Sequence, residues 1–192
     1  MASWTVETFV RFCRHRPLRR RQSVQVVVRE TDATGVSPWL LQLDALLSAP
    51  STEVPLLTHL EFDHTATRHQ GSLPAFANRL LRSAFARSLS SFTLRVAAGS
   101  IRYTAIEGGW AAEVDVEREP PDMLIAPFGP TTRYVRSITV RSAVALKKAL
   151  MDSLRAWQSA VGGILMIETP KKAKAATPTQ LTKRPRRRPR AR

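Results

Sequence analysis

SFTLRVAAGSIRYTAIEGGWAAEVDVER, residues 91–118, is the stretch from which the fold is read. Phe92, Leu94 and Val96 alternate with Thr93 and Arg95, the period of two that sends successive side chains to opposite faces of a strand. Ala98-Gly99 breaks the pattern, residues 101–106 run back, and Glu107-Gly108-Gly109 breaks it again. Trp110, Ala112, Val114 and Val116 then alternate with Ala111, Glu113, Asp115 and Glu117. This predicts a three-stranded antiparallel meander with one face buried and one charged.

Working outward, proline and acid crowd 119–130 into a loop, and RYVRSITVR (133–141) is another strand. Residues 142–160 predict a helix: Leu146, Leu150, Ser153, Leu154 and Trp157 share an arc, with Lys147, Lys148, Asp152 and Arg155 opposite. Gly162-Gly163 ends it, and ILMIET (164–169) is expected as a fully buried strand. Upstream, residues 73–90 predict a helix with Ser72 as cap and Pro74 in its first turn. Ala77, Leu80, Leu81, Ala84 and Phe85 form its apolar arc, and Arg79, Arg82 and Arg87 its solvated one. LLTHLEFDHT (56–65) alternates as a strand, PWLLQLDALL (38–47) suits strand or helix equally, and VQVVVRE (24–30) is a β-branched strand. Residues 3–13 place Trp4, Val6, Phe9, Val10 and Cys13 on one helical face. No internal repeat is visible. The expected class is α+β, dominated by antiparallel sheets, with two amphipathic helices and disordered basic termini.

The charge is the loudest feature. The 192 residues hold 30 Lys and Arg against 15 Asp and Glu, a formal net charge of +15. Arg11, Arg14, Arg16, Arg19, Arg20 and Arg21 face only Glu7 within 1–21. Lys171, Lys172, Lys174, Lys183, Arg184, Arg186, Arg187, Arg188, Arg190 and Arg192 face no acid within 171–192. The stretch 22–170 is therefore balanced. The expected organisation is a basic N-terminal arm (1–21), one globular domain (22–170) and a disordered Lys/Arg/Pro-rich tail (171–192). Polycations of this kind bind phosphate by counterion release with little sequence preference, so these sixteen side chains are the candidate RNA contacts. Lys171-Lys172, a ten-residue spacer and Lys183-Arg184-Pro185-Arg186-Arg187 also fit a bipartite import signal, which would make import receptors partners and the nucleus a destination.

Other chemistry is sparse. No Gly-rich phosphate loop and no G-x-S-x-G elbow occur, and the expectation is a non-enzyme. Cys13, the only cysteine, reads as a free thiol despite His15 nearby. No apolar run reaches the length of a membrane span and no signal peptide is read, so neither membrane insertion nor secretion is expected. His59, Glu61 and Asp63, with His64 and His69 following, read as an exposed polar strand face, with a metal site as the rival. Glu113, Asp115, Glu117, Glu119 and Asp122 admit three readings: a solvated edge, a docking surface for a basic arm or subunit, or a divalent-cation site.

The middle of the chain resembles the jelly-roll coat protein of small icosahedral positive-strand RNA viruses, plant-virus type. A helix opening at Leu73-Pro74, with Ala77, Leu80, Phe85 and Ala86, leads into SFTLRVA, then a turn, Gly108-Gly109, a strand, Asp115 and Asp122. LLTHLEFDHT would match the strand before the helix, and GGILMIETP the closing strand. The resemblance implies a jelly-roll sandwich, homo-oligomeric assembly into a virion in the host cytoplasm, RNA packaging by the arms, and no cofactor beyond a weak calcium candidate at Asp115 and Asp122. A movement protein or silencing suppressor, binding RNA without a shell, is the nearest alternative. A third expectation, an organellar ribosomal protein, rests on the same basic extensions.

Overall fold

The computed structural model describes residues 2–15, 22–27, 57–65, 73–120 and 122–168. They form one eight-stranded sheet whose strands lie side by side in chain order. The elements are β1 (Ala2–Thr5), α1 (Val6–His15), β2 (Gln22–Val27), β3 (Leu57–Asp63), α2 (Leu73–Arg82), a 3₁₀ turn (Ala84–Ser88), β4 (Ser91–Val96), β5 (Gly99–Ile106), β6 (Gly109–Val116), α3 (Asp122–Ile125), β7 (Val135–Ser142), α4 (Lys148–Val161) and β8 (Ile164–Glu168).

The meander is present as β4, β5 and β6, two antiparallel pairings joined by tight turns. Gly99 has φ +144°, and a Cβ there would stand 2.0 Å from the Asp115 carbonyl oxygen, so the first hairpin requires glycine. Every other pairing, β1–β2, β2–β3, β3–β4, β6–β7 and β7–β8, is parallel. The class is α+β with β dominant, as expected. The two facing antiparallel sheets of a jelly roll are not found among the described residues. Parallel neighbours need a crossover, and α1, α2, α3 and α4 lie in four of them. Because such crossovers are right-handed and the strands always step the same way, the helices collect on one side of the sheet. Among the described residues, nothing covers the other side.

The core lies between sheet and helices. Phe62 of β3 sits at its centre, edge-on to Phe9 of α1 (6.0 Å between centroids), Phe76 of α2 (5.0 Å) and Phe92 of β4 (6.1 Å). Phe92 stacks on Tyr103 of β5, which meets Phe128 after α3. Trp157 of α4 is fully buried and donates to the Thr132 carbonyl at 3.4 Å. Gly163 makes this possible, since a Cβ there would stand 2.4 Å from the Trp157 ring.

Several boundaries differ from expectation. The helix predicted over 73–90 stops at Arg82, where the Ser83 hydroxyl and backbone N–H both donate to the Leu80 carbonyl (2.7 and 3.0 Å). The helix predicted from 142 starts only at Lys148. Ser142 completes β7, its hydroxyl donating to the Val144 carbonyl at 2.6 Å to turn the chain. Gly162, at φ +69°, ends that helix as the sequence predicts. β8 is not a buried strand: among the described residues it is the sheet's edge, with Ile164 64% and Met166 51% exposed. The ambiguous stretch 38–47 lies outside the described residues.

Candidate nucleic-acid interface and the open sheet face

Arg11 is exposed on α1, and Arg14 lies within the same helix. Arg16, Arg19, Arg20 and Arg21 lie outside the described residues, as do Lys171, Lys172, Lys174, Lys183, Arg184, Arg186, Arg187, Arg188, Arg190 and Arg192. Their points of attachment are defined. Residues 16–21 join the end of α1 to the start of β2, whereas residue 169 continues from the end of β8. All strands except β5 run the same way, so these attachments lie at opposite ends of the sheet. β2 and β8 are also six positions apart, about 29 Å at ordinary strand spacing. The expectation of a disordered N-terminal arm is therefore corrected: residues 2–15 form β1 and α1, with Phe9 and Val10 in the core, and 16–21 connect α1 to β2 at the corner diagonally opposite the one from which the tail follows β8.

Between them the body carries charge unevenly. The helices and the 3₁₀ turn hold Arg11, Arg14, Arg79, Arg82, Arg87, Lys148 and Arg155 against Glu7, Asp122 and Asp152. The open sheet face is richer in acid. Strand registration lines its residues into rows, one running Val27, Asp63, Arg95, Ser100, Asp115, Arg141, Glu168. The next runs Gln25, Glu61, Thr93, Arg102, Glu113, Thr139, Met166. Two arginines organise the carboxylates. Arg95 Nε donates to Glu61 Oε1 at 2.8 Å, and Gln25 donates to the same oxygen at 3.0 Å. Arg141 reaches Glu168 at 3.3 Å, Glu113 at 3.7 Å and Asp115 at 3.8 Å. These strand ends border a hollow of about 510 Å³ lined by Asp115, Glu117, Arg141, Ser142 and Glu168 among others.

The two cation candidates are separated by this architecture. Asp115 lies on the open face beside Arg141, while Asp122 opens α3 in the helix layer, 4.0 Å from Lys147 Nζ. Among the described residues no three His, Cys, Asp or Glu side chains gather as a metal site. His59, Glu61 and Asp63 do share the outward side of β3, each with its own partner. His59 Nδ1 is 2.7 Å from Ser91 Oγ, and Asp63 Oδ1 accepts from Thr65 N–H and hydroxyl at 3.0 and 2.7 Å. His64 faces the other way, fully buried against Phe62, and burial lowers its pKa from 6.5 to about 4 despite the opposing pull of Asp63. His69 lies outside the described residues.

Sequence reasoning missed the roles of Arg95, Arg102 and Arg141 as the cations set among these acids. Alternation already puts Arg95 opposite Phe92 and Leu94, but their neighbours across the sheet depend on which strands adjoin. Among the described residues no helix is long and apolar enough to cross a membrane. Compared with family models, curated proteins and solved structures, the chain matches none.

Proposed function

We propose that this protein binds nucleic acid through its two Lys/Arg-rich segments, with the β-rich body acting as a rigid spacer between them rather than as a catalyst. One observation carries the reading: the excess of positive charge belongs to 1–21, which supplies α1 and the α1–β2 connection, and to 171–192, which follows β8, and the two lie at opposite corners of a body whose remaining residues, 22–170, are charge-balanced. Two tethered polycations spaced across about 29 Å would engage separate stretches of one phosphate backbone, each raising the effective concentration of the other. Phosphate contacts position a protein without reading bases, so sequence preference is expected to be slight. The helix layer, with Arg79, Arg82 and Arg87, is the side of the body that would face the nucleic acid.

Fluorescence anisotropy with labelled RNAs of unrelated sequence tests this. Equal affinities that fall linearly on a log–log plot with salt are expected. Affinity that ignores salt, or that belongs to one sequence alone, would overturn it.

A second reading, an RNA-packaging coat protein that assembles on itself, uses the same segments. It is favoured by the exposed apolar edge at β8. Light scattering and microscopy separate the two: uniform closed particles with RNA support a coat, and small soluble complexes support the spacer.

A further inference from the structure

The two edges of the sheet are unlike. At the first, the four residues of β1 (ASWT) contain one large apolar side chain, Trp4, which packs on Phe9. At the other, apolar surface is left over on both sides of β8. Ile164 and Met166 project onto the open face, otherwise mostly polar, at 64% and 51% exposure. On the helix side Leu165 and Ile167 are only partly covered, as are Leu150 and Val161 of α4 above them. β8 also lacks the usual protections of an edge strand. Ile164–Glu168 contains no lysine or proline, and its register with β7 is unbroken.

We infer that the β8 edge pairs with the β8 edge of a second copy of this chain, antiparallel about a two-fold axis near Met166. The candidates within the chain fit poorly. The tail that follows β8 is KKAKAATPTQLTKRPRRRPRAR from residue 171, too poor in apolar residues to cover this surface. Residues 28–56 contain PWLLQLDALL but connect the neighbouring strands β2 and β3, so covering β8 would require them to cross about 29 Å of sheet and return about 24 Å, a detour that spends about half their extended reach. A head-to-tail contact with β1 would set leftover apolar surface against a short strand that is mostly polar. Of the two described sheet edges, β8 is matched by itself rather than by β1, which is the condition for an isologous interface. Pairing the whole strand sets Leu165 against the second copy's Ile167 under the helices and, on the open face, Met166 against Met166 flanked by two Ile164–Glu168 pairs, in which the isoleucine packs on the stem of the glutamate. Antiparallel pairing also sends the two +10 tails to opposite ends of the joint, where a parallel pair would force them together. The inference does not depend on nucleic-acid binding.

The test is the mass of the full chain, freed of nucleic acid by nuclease, by analytical ultracentrifugation at rising concentration. A dimer is expected. Met166→Lys, at an exposed outward position, is expected to leave the melting temperature of the chain's far-UV circular dichroism near wild type. It should raise the dimer Kd at least about a hundredfold, because like charges then meet at the axis. Met166→Cys is expected to form an interchain disulfide that persists when Cys13 is replaced by Ser. A wild-type monomer throughout, or a Met166→Lys dimer of unchanged Kd, would overturn the inference. So would a mass that grows without limit, the mark of head-to-tail contact with β1.

Discussion

On the helix side of β3, Phe62 is enclosed by Phe9, Phe76, Phe92 and His64, whereas one residue earlier Glu61 faces outward between Gln25 and Arg95. The same backbone thus carries two kinds of interaction. Inside, area removed from water and close packing supply the stability, and any unfilled volume is felt directly. Outside, half-exposed ion pairs such as Arg141–Asp115 are weak individually and screened by salt, so that face is free to vary in chemistry without unfolding the protein. An asymmetry of this kind suits a body whose inner face holds the fold and whose outer surface, edges and appended segments make the contacts.

Three changes break or sharpen that contrast. Phe62→Ala removes the aromatic that joins α1, α2 and β4, and is expected to cost about 4 kcal/mol, measured by urea denaturation. A loss below about 1 kcal/mol would mean that the helices are held by something else.

His64 tests the inner face by protonation. The unfolded chain takes up its proton near 6.5 and the folded one only near 4, so between these values the unfolded state binds more protons. Stability should therefore fall as pH drops from about 6.5 towards 4, by up to about 3 kcal/mol, then level off for this group. Unfolding free energies measured across that range should show a steeper fall for the wild type than for His64→Gln. Parallel curves would mean that the imidazole is not buried neutral.

The smallest effect belongs to the open face. Arg141→Ala is expected to cost less than about 1 kcal/mol although it loses three carboxylate neighbours, because all four side chains are substantially exposed. Its effect should shrink further in high salt, and a loss of several kcal/mol in thermal melts would show that the outer face is structural.

Much of this fold was legible. The meander, its two turns, the Gly162 stop and the apolar arcs of α2 and α4 follow from period and glycine chemistry within one stretch of chain. Strand–helix–strand order was also visible on both sides of the meander, at 56–96 and 133–169, and such units imply parallel neighbours. The coat-protein resemblance nonetheless led to antiparallel sheets, because it matched the order of elements while pairing depends on contacts between distant segments. β8 looked buried for a related reason. An apolar run such as ILMIE signals a strand, but only the count of neighbours decides whether it lies in the middle of a sheet or at its edge. The candidate phosphate contacts came from charge alone. Their arrangement at opposite corners needed the direction of β2 and β8, which no local pattern encodes.

The central claim is that the Lys/Arg-rich stretches 1–21 and 171–192, and not the balanced stretch 22–170, hold the nucleic acid. The most direct test compares the salt dependence of single-stranded RNA binding for the full chain and for a chain ending at Pro170. Removing ten basic residues should flatten the log–log slope substantially, by up to about 7 if all of them touch phosphate. An unchanged slope and affinity would contradict the account and move the binding surface onto the body.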